Sequence, residues 1–195
     1  MKPRRQPLIV TVGILFFLAT TVQAQPFKIK NFSMHVSGTS TMHEWQSSVE
    51  NFSATGSFVV ASNDLVEVKD VVVKIPVTSI KSTKGKTMDN KTYDAFNHEK
   101  HPQIVFVMKG QTINASNSTI DLKGTLSMAG KTLPVDLKVN YKLSSAGELK
   151  ITGSKQITMT DFGMDPPTAM MGAIKVGNDI SVTFEITLTN NNAIL

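Results

Sequence analysis

Strict alternation of apolar and polar side chains is clearest in the segment Leu133-Pro134-Val135-Asp136-Leu137-Lys138-Val139-Asn140-Tyr141-Lys142-Leu143. Every odd position is apolar, and every even position except Pro134 is polar. Because successive side chains of a β-strand point to opposite faces, this pattern predicts one strand with a single buried face. The run before it, from Ile120 to Met128, alternates in the same way and ends at Ala129-Gly130. The two runs therefore predict a β-hairpin whose turn contains a glycine.

Similar apolar stripes recur through the rest of the chain. Clusters of Gly, Asn, Asp and Ser separate them, and most are not joined by helical segments. This pattern predicts about seven or eight antiparallel strands in an all-β sandwich or barrel. A parallel α/β sheet would need helical crossovers between its strands, so we do not expect one. The clearest stripes are Val71, Val73, Ile75 and Val77; Ile104, Phe106 and Met108; Leu149, Ile151, Ile157 and Met159; and Ile180, Val182, Phe184, Ile186 and Leu188.

One segment, residues 84–101, breaks the period-two rhythm. Its apolar residues follow helical spacing, and a glycine and a proline limit it on either side. We expect this inserted helix to cover one end of a barrel, with Met88, Tyr93 and Phe96 on its inner side. Residues 166–174, which begin with two prolines and contain a glycine, could supply a second plug of the same kind.

The first 24 residues have the three parts of a secretory signal. A basic start is followed by an apolar run over residues 8–19 and by small residues that end at Ala24. We therefore predict that residues 1–24 are a cleaved signal peptide and that residues 25–195 form a single exported domain, periplasmic or secreted. A retained anchor helix is the alternative, but the apolar run is short and lacks a basic flank. The chain has no cysteine, so no lipobox is available for lipid attachment.

The composition narrows the class of protein further. The chain has 195 residues, of which 41% are hydrophobic and 18% charged. These values fit one globular domain and exclude a disulfide-stapled miniprotein, a disordered chain and a helical protein with many membrane spans. The net charge of +5 includes the basic residues near the N-terminus, and no basic block stands beside aromatic residues. We therefore predict no nucleic-acid partner.

Several short segments stand out for their order along the chain: Gly38-Thr39-Ser40-Thr41-Met42-His43-Glu44-Trp45, then Ile80-Lys81-Ser82 and Met88-Asp89-Asn90-Lys91, then His101-Pro102-Gln103-Ile104-Val105-Phe106, Gly124-Thr125-Leu126-Ser127-Met128-Ala129-Gly130 and Thr160-Asp161-Phe162-Gly163. Together they resemble the signatures of the YceI-like family, from about Phe27 to Thr189. The resemblance implies an exported, lipocalin-like, eight-stranded antiparallel barrel that takes a polyisoprenoid chain into its lumen.

The lumen of an eight-stranded barrel is just wide enough to be filled by its own side chains or to hold one ligand. In a barrel surrounded by water the apolar stripes must face inward, so strand parity identifies the candidate lumen residues. We predict that these residues surround an apolar lipid of the polyisoprenoid type. The candidates are Val71, Val73, Ile75, Val77, Ile104, Phe106, Met108, Leu122, Leu126, Leu133, Val135, Leu137, Val139, Tyr141, Ile151, Val182, Phe184 and Ile186.

Three functions are compatible with such a barrel. The first, which we favour, is sequestration or transfer of an apolar lipid by a monomer or dimer that contacts membranes transiently. The second is a structural or stress-related exported domain with a filled core and no ligand. The third is an outer-membrane barrel whose stripes face lipid, but such barrels carry aromatic girdles and this chain has only one Trp and two Tyr.

The polar residues give no strong case for catalysis. His98 and His101, with Glu99, could form a metal-binding face, but a histidine is also favourable as a solvated residue at the end of a helix. We predict no enzyme activity, no metal site and no cofactor other than a bound polyisoprenoid lipid. Four basic residues at the start of the helix could contact a phosphate head group or be ordinary solvated surface: Lys81, Lys84, Lys86 and Lys91.

Overall fold

The computed structural model describes residues 25–61, 64–112 and 118–190, so the predicted signal peptide, residues 1–24, lies outside the described residues. Within the described part the chain forms one α-helix and twelve β-strands. The strands are β1 (Gln25–Ser40), β2 (Trp45–Val49), β3 (Ser53–Ala61), β4 (Asp64–Pro76), β5 (Ile80–Ser82), β6 (Gln103–Met108), β7 (Gln111–Thr112), β8 (Thr119–Met128), β9 (Lys131–Leu143), β10 (Leu149–Thr158), β11 (Thr168–Ala169) and β12 (Ile174–Asn190), and the helix is α1 (Lys86–Phe96).

The eight longest strands close into an antiparallel barrel. Their order around the wall is β1, β12, β10, β9, β8, β6, β4 and β3, and β3 pairs with β1 again. The junction of β1 with β3 is short, because only Gln25 and Pro26 of β1 pair with β3. Farther along, β1 pairs with the short β2, which in turn pairs with β5. The predicted fold class, an all-β eight-stranded antiparallel barrel with an inserted helix, is confirmed.

The hairpin predicted around Ala129-Gly130 is the β8–β9 hairpin. The register runs from Thr119 opposite Asn140 to Met128 opposite Lys131. Both turn residues have positive φ, 50° at Ala129 and 84° at Gly130, as the tight turn of a two-residue hairpin requires. A Cβ atom at Gly130 would lie 2.6 Å from Nε2 of His101. Glycine at this position therefore also leaves room for the His101 ring to pack on the turn.

The inserted helix is shorter than the predicted range of residues 84–101. It begins after Gly85, which has a φ of 87°, and it ends at Asn97, whose φ of 49° is left-handed. The N–H of Asn97 donates to the carbonyl oxygen of Asp94 at 2.9 Å, and the N–H of His98 donates to that of Tyr93 at 3.0 Å. These bonds close the last turn, so residues 97–100 form a turn rather than further helix.

The second predicted plug, residues 166–174, is not a helix. It is a short hairpin in which Thr168 pairs with Lys175 and Ala169 pairs with Ile174. The residues at its tip, Met170 to Gly172, form a 3₁₀ turn that contains left-handed backbone. The two prolines remove backbone donors, and the paired residues after them take up extended conformations instead.

The two ends of the barrel are built from different parts of the chain. We call one the helix end, because α1, the β1–β2 turn (residues 41–44) and the β11–β12 hairpin meet there; Ser40 pairs with Val176, and Ser47 pairs with Ser82 just before α1. We call the other the Tyr141 end. Each end has its own buried apolar cluster, which includes Val77, Tyr93 and Phe96 at the helix end, and Leu65, Tyr141, Leu149 and Leu188 at the Tyr141 end.

No helix in the described ranges is both long enough and apolar enough to cross a lipid bilayer.

Candidate ligand-binding cavity

A cavity of about 550 Å³ occupies the barrel interior. Alternating residues of the barrel strands form its wall. On β12, for example, Ile180, Val182 and Phe184 line the cavity, whereas Thr183 and Glu185 are exposed on the outer face. The cavity reaches both buried clusters, from Leu149 at the Tyr141 end to Phe96 of α1 at the helix end. It therefore runs along the barrel rather than lying in one layer of it.

The wall is apolar over most of its area. The volume of the cavity lies in the range of about 300–1,000 Å³ that is usual for small-molecule sites. An apolar cavity in another protein, of only about 150 Å³, already stays dry and binds apolar guests. A space of this size does not agree with the alternative of a filled core. The polar residues on the described part of the wall include no carboxylate; they are Ser40, His43, Ser47, Ser82, Lys84, Lys91, Thr92, Lys155 and Thr168.

The charged side chains lie on the outer face of the barrel, opposite the apolar wall of the cavity. Asp136 and Lys138 on β9, and Lys150 on β10, are exposed, while their strand neighbours Val135 and Ile151 line the cavity. This is the reverse of the distribution expected for strands that face lipid, which was the third interpretation of the sequence.

Two glycines set the width of the cavity. A Cβ atom at Gly124 would lie 2.6 Å from Cε2 of Phe106, and one at Gly153 would lie 2.5 Å from Cζ of Phe184. Each phenylalanine ring thus lies directly on the backbone of a glycine in the neighbouring strand. Because the Phe184 ring lines the cavity, a side chain at Gly153 would push that ring toward the lumen. A side chain at Gly124 would also meet the carbonyl oxygen of Val107 at 2.6 Å.

The cavity opens at the helix end. Among the wall residues in the described part, those that are also exposed to solvent are His43, Lys84, Lys91 and Thr168. His43 belongs to the β1–β2 turn, Lys84 lies just before α1, Lys91 lies in its second turn, and Thr168 belongs to β11. The β1–β2 turn is held in shape by Ser40, whose hydroxyl donates to the carbonyl oxygen of His43 at 2.8 Å. We refer to the gap between these segments as the mouth.

Lys81 does not lie at the mouth. Its Nζ donates to the hydroxyl oxygen of Tyr93 at 2.6 Å and lies 3.6 Å from Oδ2 of the buried Asp89. Asp89 Oδ1 also accepts the N–H of Ser82 at 2.7 Å. The hydrogen bond to Tyr93 is the main cause that raises the pKa of Lys81, and the charge of Asp89 adds to it against the effect of burial. Lys81 therefore ties α1 to β5.

The other three basic residues near the helix start differ in whether they line the cavity. Lys84 and Lys91 line the cavity at the mouth, whereas Lys86 is exposed and does not line it. A phosphate group at the mouth would therefore be close to two of the four lysines that the sequence singles out.

Most of the predicted lumen residues lie on the cavity wall. Those placed there are Val71, Val73, Ile75, Ile104, Phe106, Leu122, Leu126, Val135, Leu137, Val139, Ile151, Val182, Phe184 and Ile186, together with Met88 and Phe96 of α1. That these residues contact a ligand stays a prediction.

Four predicted lumen residues and one helix residue do not line the cavity. Val77 lies in a 3₁₀ turn after β4 and is buried with the cluster at the helix end, against which Leu133 also packs. Met108 is buried at the last position of β6, outside the cavity wall. Tyr141 donates its hydroxyl to Oδ1 of Asp64 at 2.7 Å, and Tyr93 donates its hydroxyl to the carbonyl oxygen of Thr78 at 3.0 Å. These side chains fill the ends of the barrel, because correct parity places a residue inside but does not decide its level along the strand.

The N-terminal third of the wall is missing from the sequence-based site. Phe27 on β1 lines the cavity, and so do Met34 and Val36 on the same strand. The parity changes from odd to even because β1 has a register shift between Ile29 and Asn31. A β-bulge inserts one extra residue and interrupts period-two alternation, so β1 did not show one continuous stripe. Phe52, Ala54 and Phe58 line the wall from the β3 side of the same region.

The histidines considered for a metal face have structural contacts. The ring of His98 lies 5.3 Å from that of Tyr93, and His101 packs on Gly130. In the ranges that the structure describes, no three His, Cys, Asp or Glu side chains come together in a way that could hold a metal ion.

An eight-stranded antiparallel barrel with an apolar cavity that opens at one end has the architecture of the small ligand-binding barrels. Residues 17–188 match the model of the YceI-like domain, so the chain belongs to the YceI-like family. A comparison with curated protein sequences gave no match.

Solved structures with the same fold come from several bacteria. Burkholderia cenocepacia BcnA has a TM-score of 0.64 and 18% identity, over 80% of this chain and 95% of that one. A polyisoprenoid-binding domain from Saccharophagus degradans, implicated in plant cell wall breakdown, has a TM-score of 0.62 and 12% identity, over 86% and 98% of the two chains. The YCEI protein of Campylobacter jejuni has a TM-score of 0.56 and 20% identity, over 98% and 99%. At these identities the likeness establishes the fold.

Proposed function

We propose that this protein binds a lipid with a long apolar chain, of the polyisoprenoid type, inside the barrel and holds or transfers it. The observation that carries the proposal is the continuous apolar cavity of about 550 Å³ with one open end. The fold that the chain shares with a polyisoprenoid-binding domain supports the same class of ligand. The function is binding rather than catalysis, because the cavity offers a long apolar surface and few polar groups.

The energetics favour a carrier or a store. Removing a CH₂ group from water gains about 0.8 kcal/mol, which over a long prenyl chain would exceed any measured non-covalent affinity. Such a lipid resides in a bilayer, however, where its chain is already surrounded by hydrocarbon. Transfer from bilayer to barrel therefore has a small net free energy, and the lipid can be both taken up and released.

The distribution of charge supports one orientation of the lipid. Its tail extends toward Leu149 and the Tyr141 end, where the described wall is apolar. Its polar head stays at the mouth beside His43, Lys84 and Lys91. A phosphate-bearing head group fits there, since the described wall presents cations and no carboxylate.

We also propose that residues 1–24 direct export and that the mature domain acts in the periplasm. The basic start, the apolar run and the small residues before Gln25 support this part of the proposal. The intact mass of the protein purified from the periplasm of a bacterial host checks it: cleavage after Ala24 is expected, and a full-length protein in the cytoplasm would contradict it.

The test of binding is native mass spectrometry and organic extraction of the protein purified without detergent, followed by exchange assays with prenyl lipids. Val182→Trp places a large side chain in the cavity, and we expect it to lower the bound lipid about tenfold or more. Thr183→Trp is the matched control, because residue 183 is exposed on the outer face of the same strand. Equal lipid binding by both variants, or no affinity of the wild-type protein for any prenyl lipid, would refute the proposed function.

A further inference from the structure

Three of the most exposed hydrophobic side chains lie at one end of the barrel. Among the described residues, the exposed large hydrophobic side chains are Met42, Val107, Met170 and Met171, and Met171 is fully exposed. Met42 belongs to the β1–β2 turn, and Met170 and Met171 form the tip of the β11–β12 hairpin. Val107 is the outlier, on the outer face of β6.

Hydrogen bonds hold these two segments together. The N–H of Thr41 donates to the carbonyl oxygen of Lys175 at 2.9 Å, and the N–H of Lys175 donates back to Oγ1 of Thr41 at 3.2 Å. Oγ1 of Thr41 also donates to the carbonyl oxygen of Ala173 at 3.4 Å. The three methionines, which are far apart in sequence, are thus carried by one double loop.

The double loop borders the mouth. Its β1–β2 turn contributes His43 to the cavity wall, and its hairpin contributes Thr168, Ala169 and Ile174. The methionines therefore project into solvent next to the opening through which the cavity is reached.

The backbone of the hairpin tip is in an unusual conformation. Met170 has a φ of 49° and Met171 has a φ of 55°. Residues other than Gly, Asn and Asp rarely adopt this left-handed backbone conformation. Neither methionine is buried in return, so packing within the described part of the barrel does not explain the conformation. The left-handed residues turn the chain at the hairpin tip and leave both methionine side chains in solvent.

The charges beside the mouth indicate the partner. Three segments carry the methionines and the mouth: residues 41–44, 84–91 and 165–175. Their exposed ionisable side chains are His43, Lys84, Lys86, Lys91 and Lys175, against Glu44 and Asp165. Exposed apolar side chains bordered by lysines are typical of proteins that bind the interface of an anionic bilayer. The flexible side chain of methionine suits irregular insertion among acyl chains.

We infer that Met42, Met170 and Met171 form a membrane-docking surface that enters the interface of an anionic phospholipid bilayer and brings the mouth onto it. The reason why the protein would bind a bilayer rests on the proposed function, because a prenyl lipid resides in the bilayer. The surface itself rests on the exposure of the methionines, their position beside the mouth and the charges around them.

The experiment compares wild-type protein with the triple variant Met42→Gln, Met170→Asn, Met171→Asn. Asparagine is chosen at the hairpin tip because it tolerates a positive φ. Val107→Thr is the matched control, since it removes an exposed hydrophobic side chain away from the mouth. The first readout is co-sedimentation with vesicles of phosphatidylcholine, with and without phosphatidylglycerol. The second is binding of a short prenol delivered from cyclodextrin, which needs no bilayer.

We expect the triple variant to lose vesicle binding about tenfold, with the wild-type protein preferring vesicles that contain phosphatidylglycerol and Val107→Thr behaving like wild type. Prenol binding from cyclodextrin should be the same in all three proteins. Three results would overturn the docking surface: the triple variant still binds vesicles, the wild-type protein does not bind them, or the wild-type protein binds neutral vesicles as well as anionic ones. If the wild-type protein does not bind the prenol, the proposed function is overturned instead.

Discussion

The two ends of the barrel differ in whether they are closed to solvent. At the Tyr141 end, Leu65 is 0% exposed and Leu149 is 1% exposed, and the Tyr141 hydroxyl donates to Asp64. At the helix end, His43 and Lys91 line the cavity and are also exposed to solvent. The first end serves as a floor, and the second combines a lid, made by α1, with an opening. The difference gives the cavity a direction.

The comparison also separates stability from function. The floor consists of residues from long barrel strands that pack against one another. The opening consists of segments inserted between or after these strands, which hold the lysines and the exposed methionines. Substitutions at the floor should therefore act mainly on the free energy of unfolding, and substitutions near the mouth mainly on lipid uptake.

The largest expected effect is on stability at the floor. Leu149→Ala removes a side chain that is 1% exposed and should lower the free energy of unfolding by about 2–5 kcal/mol. Leu126→Ala, nearer the helix end, should cost less than about half as much. Both residues line the cavity, but Leu126 is only half-buried, so less apolar surface is lost from the core. Urea unfolding of both variants measures the difference. Equal losses would contradict the expected difference between a fully buried and a half-buried residue of the wall.

A second effect concerns the width of the cavity. Gly153→Val places a side chain where the Phe184 ring now lies and should drive the ring into the lumen, lowering prenyl-lipid affinity about tenfold or more. The double variant Gly153→Val, Phe184→Ala removes the displaced ring and should recover most of the affinity. Affinity that the single variant leaves unchanged would contradict the role of the ring in shaping the cavity.

A smaller effect is expected at the attachment of the lid. Tyr93→Phe removes the hydroxyl that bonds Lys81 and the Thr78 carbonyl oxygen, and should lower the free energy of unfolding by about 1 kcal/mol. Amide hydrogen exchange in α1 should speed up more than exchange in β9. Uniform acceleration across both elements would mean that these bonds do not hold the lid in particular.

The last effect is a pH dependence at the floor, which appears only in alkaline solution. Burial raises the pKa of Tyr141 to about 12, and the hydrogen bond to Asp64 and the charge of Asp64 add to the shift. In the unfolded chain the tyrosine ionises near its ordinary pKa of about 10. Because the folded state binds the proton more tightly, this stabilisation is present below pH 10 and is lost as the pH rises toward 12.

Tyr141→Phe separates this effect from the titration of other groups. The difference in free energy of unfolding between wild type and the variant should shrink as the pH rises from about 10 to about 12. A constant difference over that range would contradict the raised pKa.

The contrast between the ends also explains what the sequence could predict. β9 and the part of β12 from Ile180 to Leu188 alternate in a regular way, so parity alone predicts that Val135, Val139, Val182 and Ile186 face inward. The bulge in β1 hid the part of the wall that contains Met34, because one extra residue reverses parity. The level of a residue along the barrel is not encoded in its period, so the pattern predicts Tyr141 in the lumen, whereas the structure places it at the floor.

The mouth was harder to predict because it depends on tertiary structure. The sequence indicated a helix between two strands but not that Asn97 ends it in a left-handed conformation. It gave no sign that Met42 and Met171 share one surface, since the register of β1 with β12 and the hydrogen bonds of Thr41 bring them together. The apolar–polar alternation of the sequence therefore predicts much of the barrel wall. The mouth depends on pairing between strands that are far apart in sequence, which the alternation does not reveal.

The most direct test of the account uses Trp45, the only tryptophan of the chain, which lines the cavity near the mouth and donates its Nε1–H to the Thr39 carbonyl oxygen at 3.0 Å. Prenyl lipids with a quencher at either the head or the tail end would be titrated against detergent-free protein. The account predicts saturable quenching of Trp45 that is stronger for the head-labelled lipid. Absence of saturable quenching, or stronger quenching by the tail-labelled lipid, would contradict it.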